Sequence, residues 1–286
     1  MYKKVYAAYF SGTGTTEKVV KAISQKIADE LCIKHEEWDF TPLFARKNKM
    51  KFTREDIVVM AVPVIAGRVP NLLLDFLKTI EGNGATGIPV VLFGNRNYDD
   101  ALIELRDIME DGEIETVAAA AFVGEHSFST TLGAGRPSKN DIGEAEEFAA
   151  KVATLIKRKA VMAEQHIPVI VKGVVKPYRG YYKPQDRDGN HIDIRKVKPV
   201  TDVEKCDGCG LCGELCPLGS IDKEDFSVVS GICMKCCACV KKCPKGAKYF
   251  DDPGYIYHKE ELEQVYGDPK KNEFFFNEIY MEELDD

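Results

Sequence analysis

The sequence is poor in several things that usually announce a function. Its 286 residues hold a single tryptophan and five histidines, and of its ten cysteines only Cys32 lies outside residues 206–243. No apolar run reaches the roughly 20 residues that a bilayer-spanning helix needs, which argues against membrane insertion. The opening segment MYKKVYAAYF passes from two lysines straight into a strand-like stretch. It has neither the apolar region nor the small-residue cleavage site of a secretory leader, so a cytosolic protein is expected. A disulfide framework is then a poor explanation for the clustered cysteines, because such density in a reducing compartment points to metal. Neither a nucleophile–base triad nor a pair of carboxylates in a plausible cleft can be picked out.

The charge is unevenly spread. The net of −7 divides into −5 over residues 1–156, +7 over 157–200, zero over 201–250 and −9 over 251–286. A basic segment alone would suit nucleic acid, but the acidic tail is an internal neutraliser, and no nucleic-acid partner is expected.

Residues 1–165 alternate strand and helix. Lys4–Phe10 reads as an apolar strand, followed by a turn and a helix over Thr16–Leu31 with Cys32 at its end, expected as a small buried hydrophobe. Ile57–Val62, Ile88–Phe93 and Thr116–Val123 have the β-branched or apolar character of buried parallel strands. Helices are expected around Asn71–Ile80 and Ala101–Glu110, and a long one over Asp141–Ala163 with Asp141 as N-cap. The fold class is thus α/β, a doubly wound five-stranded parallel sheet with its ligand at the carboxyl ends of the strands. Residues 166–199 are a basic linker, read first as a solvated spacer and alternatively as an arm anchored by its tyrosines. Residues 200–250 form a second, small α+β unit, and residues 251–286 an acidic tail whose Phe274–Phe276 reads as packing surface.

The second unit contains an internal repeat. CDGCGLCGELCP begins at Cys206 and CMKCCACVKKCP at Cys233, both of the form C-x2-C-x2-C-x3-C-P. A [4Fe–4S] cluster needs four thiolates around a cube. Three come from one tight loop, and the fourth, just before the proline, belongs to the other repeat. The expected sets are Cys206, Cys209, Cys212 and Cys243 for one cluster, and Cys233, Cys236, Cys239 and Cys216 for the other. Zinc also uses C-x2-C pairs, but a structural zinc site wants two such pairs, not three cysteines and a proline-marked fourth, twice over. Cys237 breaks the repeat spacing and is expected to be a bystander. This stretch resembles the bacterial two-cluster ferredoxins.

FSGTGTTEK joins the first strand to the first helix. A phosphate there meets backbone N–H groups at the positive end of the helix dipole. The loop is neither a Walker motif, lacking Gly-Lys-Ser/Thr, nor a dinucleotide fingerprint, lacking the third glycine. Rich in hydroxyls and free of Lys and Arg, it suits a phosphate monoester. PVIAGRVP and GNRNYDD end two other strands. Together the three loops resemble those of flavodoxins, over roughly residues 1–160. The resemblance implies FMN, held by Ser11, Gly12, Thr13, Gly14, Thr15 and Thr16 around the phosphate. The ring would lie between Pro63, Val64, Ile65, Ala66 and Gly67 of the second loop and Gly94, Asn95, Arg96, Asn97, Tyr98 and Asp99 of the third, with Tyr98 as the stacking tyrosine. The second loop lacks the aromatic residue many flavodoxins place there. Something else is expected to cover that face, and the insert Gly124–Pro137, carrying His126 and Arg136, is a candidate.

The combination resembles the flavodoxin–ferredoxin fusion proteins of anaerobic bacteria and archaea. It implies an electron carrier or converter that works with redox partner proteins, any chemistry being the cofactors' own. Two alternatives stand beside it: a flavin-dependent reductase of a bound small molecule, fed through the clusters, and a redox-sensing module.

Overall fold

The computed structural model describes residues 2–162 and 165–281. Its first half builds β1 (Lys4–Tyr9), α1 (Thr15–Leu31), β2 (Lys34–Asp39), β3 (Asp56–Pro63), the short α2 (Leu74–Leu77), β4 (Ala85–Phe93), α3 (Ala101–Asp111), β5 (Ile114–Thr116), β6 (Ala118–Val123) and α4 (Lys139–Lys159). The sheet runs β2-β1-β3-β4-β6, all parallel, with β5 also paired to β4. This is the flavodoxin-type doubly wound order. β3 and β4 are buried almost throughout because helices or loops cover both faces. Their unbroken apolar runs follow from that.

Several boundaries differ from the sequence reading. The expected fifth strand is interrupted at Val117, whose N–H turns to the Gly87 carbonyl at 3.0 Å. The helix expected at Asn71–Ile80 is a 3₁₀ turn over Asn71–Leu73 leading into α2. The N-cap of α4 is Ser138, not Asp141. Its hydroxyl accepts the Asp141 N–H, while the Asp141 carboxylate accepts the Ser138 N–H at 2.6 Å, a reciprocal capping box. The expected end of that helix at Ala163 lies outside the described residues. Cys32 is exposed, not buried, because it caps α1 in the left-handed conformation (φ 53°) and turns away from the core.

The second half returns to the first. Val169 and Val171 are buried in the core on the α3 side. The arm then lays Tyr178 on Asp107 (Oη to Oδ2 2.6 Å), Arg179 on buried Asp100, and Tyr181 on the Val69 carbonyl at 2.8 Å. The arm, not the spacer, is what forms. Its positive charge is met partly by the tail, through Lys172 and Glu273, but also by the acidic residues of α3 and its start, Asp100 and Asp111.

Beyond the arm come β7 (Val200–Thr201), α5 (Leu211–Leu215), α6 (Ala238–Lys241) and β8 (Lys248–Tyr249), with β7 and β8 antiparallel. α7 (Pro253–Val265), capped by Asp252 with Pro253 in its first turn, leads the tail back to the sheet. There β9 (Glu273–Phe276) pairs antiparallel with β6 and covers its edge. The register sets Phe274, Phe275 and Phe276 opposite Ala120, Ala119 and Ala118, so small residues on one strand face large ones on the next. Phe274 stacks on Phe148 (centroids 5.3 Å) and meets Phe122 edge-on (5.5 Å). The phenylalanine cluster is packing surface, and it is also a strand.

Candidate cofactor sites

The two cysteine repeats fold into two cavities. Cys206, Cys209, Cys212 and Cys243 line one, together with Phe226 and Lys248. Cys216, Cys233, Cys236 and Cys239 line the other, with Cys237 also on its wall. Each quartet therefore draws three cysteines from one repeat and one from the other, as the spacing predicts. The crossed cysteines are held alike, since the Ser220 N–H points at Cys216 Sγ and the Ala247 N–H at Cys243 Sγ, both at 3.3 Å. Such N–H···S contacts stabilise a ligating thiolate. In the first loop Gly208 and Gly210 take left-handed conformations. A side chain at Gly210 would bring its Cβ to 2.9 Å from the Phe226 ring.

The donor set, four thiols lining each cavity, fits a bulky sulfur-ligated core. Burial pushes the Cys236 thiol up to about 11 and raises Cys239 further. Buried thiolates at such positions need a compensating positive core. Cys237 is buried too, but its sulfur lies 3.7 Å from the Tyr255 hydroxyl and 3.4 Å from the Lys235 carbonyl, occupied by those contacts.

The second site is a cleft, open at its mouth, at the carboxyl ends of β1, β3, β4 and β6. Gly12, Thr13, Thr15 and Thr16 form one end. Here α1 starts from Gly14 (φ 99°) with no side-chain cap, and the Ser11 hydroxyl takes the Glu17 N–H at 3.1 Å. No acceptor among the described residues meets the N–H groups of Thr15 and Thr16. Unpaired donors at a helix start, ringed by hydroxyls, fit a phosphate. Phe10, Pro63, Val64, Ile65, Leu92 and Phe93 give the cleft a largely apolar body suited to a flat ring.

The residues expected around the ring divide. Pro63, Val64, Ile65 and Gly94 line the cleft; Ala66, Gly67, Asn95, Arg96, Asn97, Tyr98 and Asp99 do not. The third loop is spent on internal contacts. Asn95 donates to the carbonyls of Tyr266 (2.6 Å) and Asp268 (3.0 Å), anchoring the tail, and Arg96 pairs with Asp99. Tyr98 is 4% exposed. Its ring packs on Phe93 and its hydroxyl donates to Glu273 at 3.0 Å, so the core side of the loop claims it and the stacking position expected of it is not where it sits. Arg136 is likewise turned away, paired with Asp141.

The cleft wall also holds residues of the insert expected as a cover and of the cysteine unit, the latter not assigned to it from the sequence. Glu125, His126 and Ser127 come from the insert after β6, and Lys235 and Cys236 from the second cysteine repeat. A Cβ placed on Gly12 would stand only 3.1 Å from Cys236 Cβ. The insert expected as a cover thus lines the cleft, and the cysteine unit joins it at the Gly12 end. The two units are tied at further points. Arg46 donates to the Pro217 carbonyl. Lys241 pairs with Glu125 and donates to the carbonyls of His126 (2.7 Å) and Ser129 (2.9 Å). The insert's position at a strand end was a legible signal for Glu125 and His126. Nothing local in the sequence points from Gly12 to Cys236, more than two hundred residues away.

Comparison with known proteins finds a family match in the cysteine-rich segment. The 4Fe-4S binding domain family matches residues 199–222. Pyruvate synthase subunit PorD of Methanocaldococcus jannaschii is 34% identical over 56 residues, 18% of this chain and 65% of that protein, so the chain covers less than two thirds of that relative. A flavodoxin from the domain Archaea aligns with 55% of this chain and 99% of its own, at 14% identity and a TM-score of 0.38. A flavodoxin of Streptococcus pneumonia aligns with 54% of this chain and 98% of its own, at 20% identity and a TM-score of 0.36. By its strand order and its matched cysteine segment, the chain joins a flavodoxin-like α/β sheet to a 4Fe-4S ferredoxin-type segment.

Proposed function

We propose that the protein transfers electrons between one FMN in the cleft and two [4Fe–4S] clusters held by the two cysteine quartets, in the service of a reductase system of anaerobic metabolism. Residues 1–165 make up the flavin unit in this reading and residues 200–250 the cluster unit. Bound flavin supplies one- and two-electron chemistry and the clusters one-electron chemistry. The chain's own residues bind these groups, keep water from the space between them and fix their order. One observation carries the reading: Cys236 is at once a member of the second quartet and part of the cleft wall. A carrier needs that continuity, and an independent pair of tethered units does not. The first quartet, with Cys209 exposed, is the side from which redox partner proteins exchange electrons. The reductase alternative asked for an open ring face at the second loop. Lys235 and Cys236 line the same cleft, with Cys236 against Gly12 of the first loop, and by filling part of the cleft they favour the carrier.

Cofactor content and internal transfer test this. Anaerobically purified protein is expected to hold one FMN and about eight iron and eight sulfide per chain. After rapid one-electron reduction of the clusters, flavin bleaching is expected at a rate independent of protein concentration. About four iron, or zinc in place of iron, removes the two-cluster assignment. A rate proportional to concentration removes the in-chain relay.

A further inference from the structure

The insert that follows β6 places one side chain against the cleft with an unused donor. The ring of His126 lies on Gly94 so closely that a Cβ at that position would overlap it. Its Nδ1 is 3.1 Å from the Phe128 N–H. A backbone N–H can only donate, so Nδ1 is the accepting nitrogen and the proton of the neutral imidazole sits on Nε2. Burial, with His258, Lys241 and Arg96 nearby, holds the imidazole down to about 4, against the weaker pull of Glu263. It is therefore neutral at ordinary pH.

Nε2 has no hydrogen-bond partner among the described residues. Nor is it sealed away. The side-chain polar atoms that are buried without a partner among the described residues are His166 Nδ1 and His258 Nδ1. Nε2 adjoins the Cδ2 edge that rests on Gly94, and both residues line the cleft. The backbone behind the ring is held by Lys241 at the His126 carbonyl, and the ring's edge meets Phe128 at a centroid distance of 5.2 Å. A donor fixed in tautomer, pinned from behind and left unpaired at a ligand cleft is pre-organised for an acceptor on the ligand.

We propose that His126 is a flavin-binding residue, its Nε2–H donating a hydrogen bond to an acceptor on the polar edge of the isoalloxazine ring. This rests on the reading of the cleft as an FMN site. Gly94 follows β4 in the third loop, where the ring is read to lie, whereas the phosphate end is built from the loop after β1. Although the insert starts beside Thr15 at Gly124, the acceptor is assigned to the ring. A ring gains electron density on reduction, and a donor to its edge then binds more strongly. His126 accordingly favours reduced over oxidised flavin and raises the midpoint potential.

The test uses the full chain with its clusters intact, stripped of flavin and titrated with FMN and, separately, with riboflavin, which lacks the phosphate. His126→Phe keeps an aromatic ring without the donor, and His126→Gln keeps a donor without the imidazole. In the Phe variant the dissociation constant is expected to rise about 3- to 10-fold for both ligands, the worth of one hydrogen bond. Its midpoint potential falls, and the Gln variant stays within about twofold of the parent in affinity, the remaining difference being less than one hydrogen bond's worth. The inference is overturned by a Phe variant that matches the parent in affinity and potential. A loss seen with FMN but not riboflavin overturns it too, since the contact would then be to phosphate, as does an equal loss in Phe and Gln variants, which would make it packing. A parent chain that binds neither ligand removes the FMN reading itself, an outcome the variants cannot mimic.

Discussion

The two cysteine repeats are written in the same pattern and live in different surroundings. The first, from Cys206, faces outward: Cys209 is exposed, and its cavity is lined from within the cysteine unit. The second, from Cys233, is pressed against the flavin-type cleft, with Cys236 partly buried and its side chain beside Gly12. A duplicated motif has thus produced one site that meets solvent and one that meets the sheet. The chain's ties are on the second side, through Arg46, Lys241 and the Gly12–Cys236 contact. Equal cysteine patterns do not make equal surroundings, and accessibility and local dielectric would set apart the exchange and potential of any clusters bound there.

Paired substitutions break this comparison most sharply. Cys209→Ser and Cys236→Ser are each expected to lower iron by about four per chain, given one four-iron cluster per quartet. Only Cys236→Ser is expected also to weaken FMN, because it alone removes part of the cleft wall. Iron analysis with flavin fluorescence on the same samples decides it, and equal flavin content in the two variants would end the claim of asymmetry. Next in size, Thr13→Asp sets a fixed negative charge where the phosphate belongs. About 100-fold weaker FMN binding is expected from that repulsion at short range, with both clusters retained. Comparable affinity would mean the phosphate is elsewhere. The smallest expected effect is that of Cys237→Ser. This residue distinguishes the second repeat from the first, yet its sulfur is engaged by Tyr255 and Lys235. Iron content is expected to stay at the parent value, and a loss would make Cys237 a ligand.

The two units were not equally legible. The grouping of the cysteines into two cavities follows from spacing, because a tight C-x2-C-x2-C loop constrains where its thiols can go and the proline marks the crossed one. The end of the cleft proposed for phosphate was equally local, a loop and a helix start. The third loop was not. Asn95 and Tyr98 look like ligand-facing residues in sequence, but each is claimed by the returning tail, Asn95 by Tyr266 and Asp268 and Tyr98 by Glu273. The arm was misjudged for a related reason. Its charge suggested the tail as partner, whereas Arg179 and Lys176 found carboxylates at the start and end of α3.

By itself the sequence determined the α/β class of the first unit, through its apolar strand runs but without the polar β2 (KHEEWD), and the grouping of eight clustered thiols, through their spacing. Both are short-range properties, set by periodicity and loop geometry within a few tens of residues. Only the tertiary structure decided that the tail supplies a strand beside β6, that Cys236 joins the insert's His126 on the cleft wall, and which repeat lies next to the flavin-type site. Those are contacts across long stretches of chain. They depend on which surfaces become complementary after the local units have formed, and no local pattern of residues encodes that.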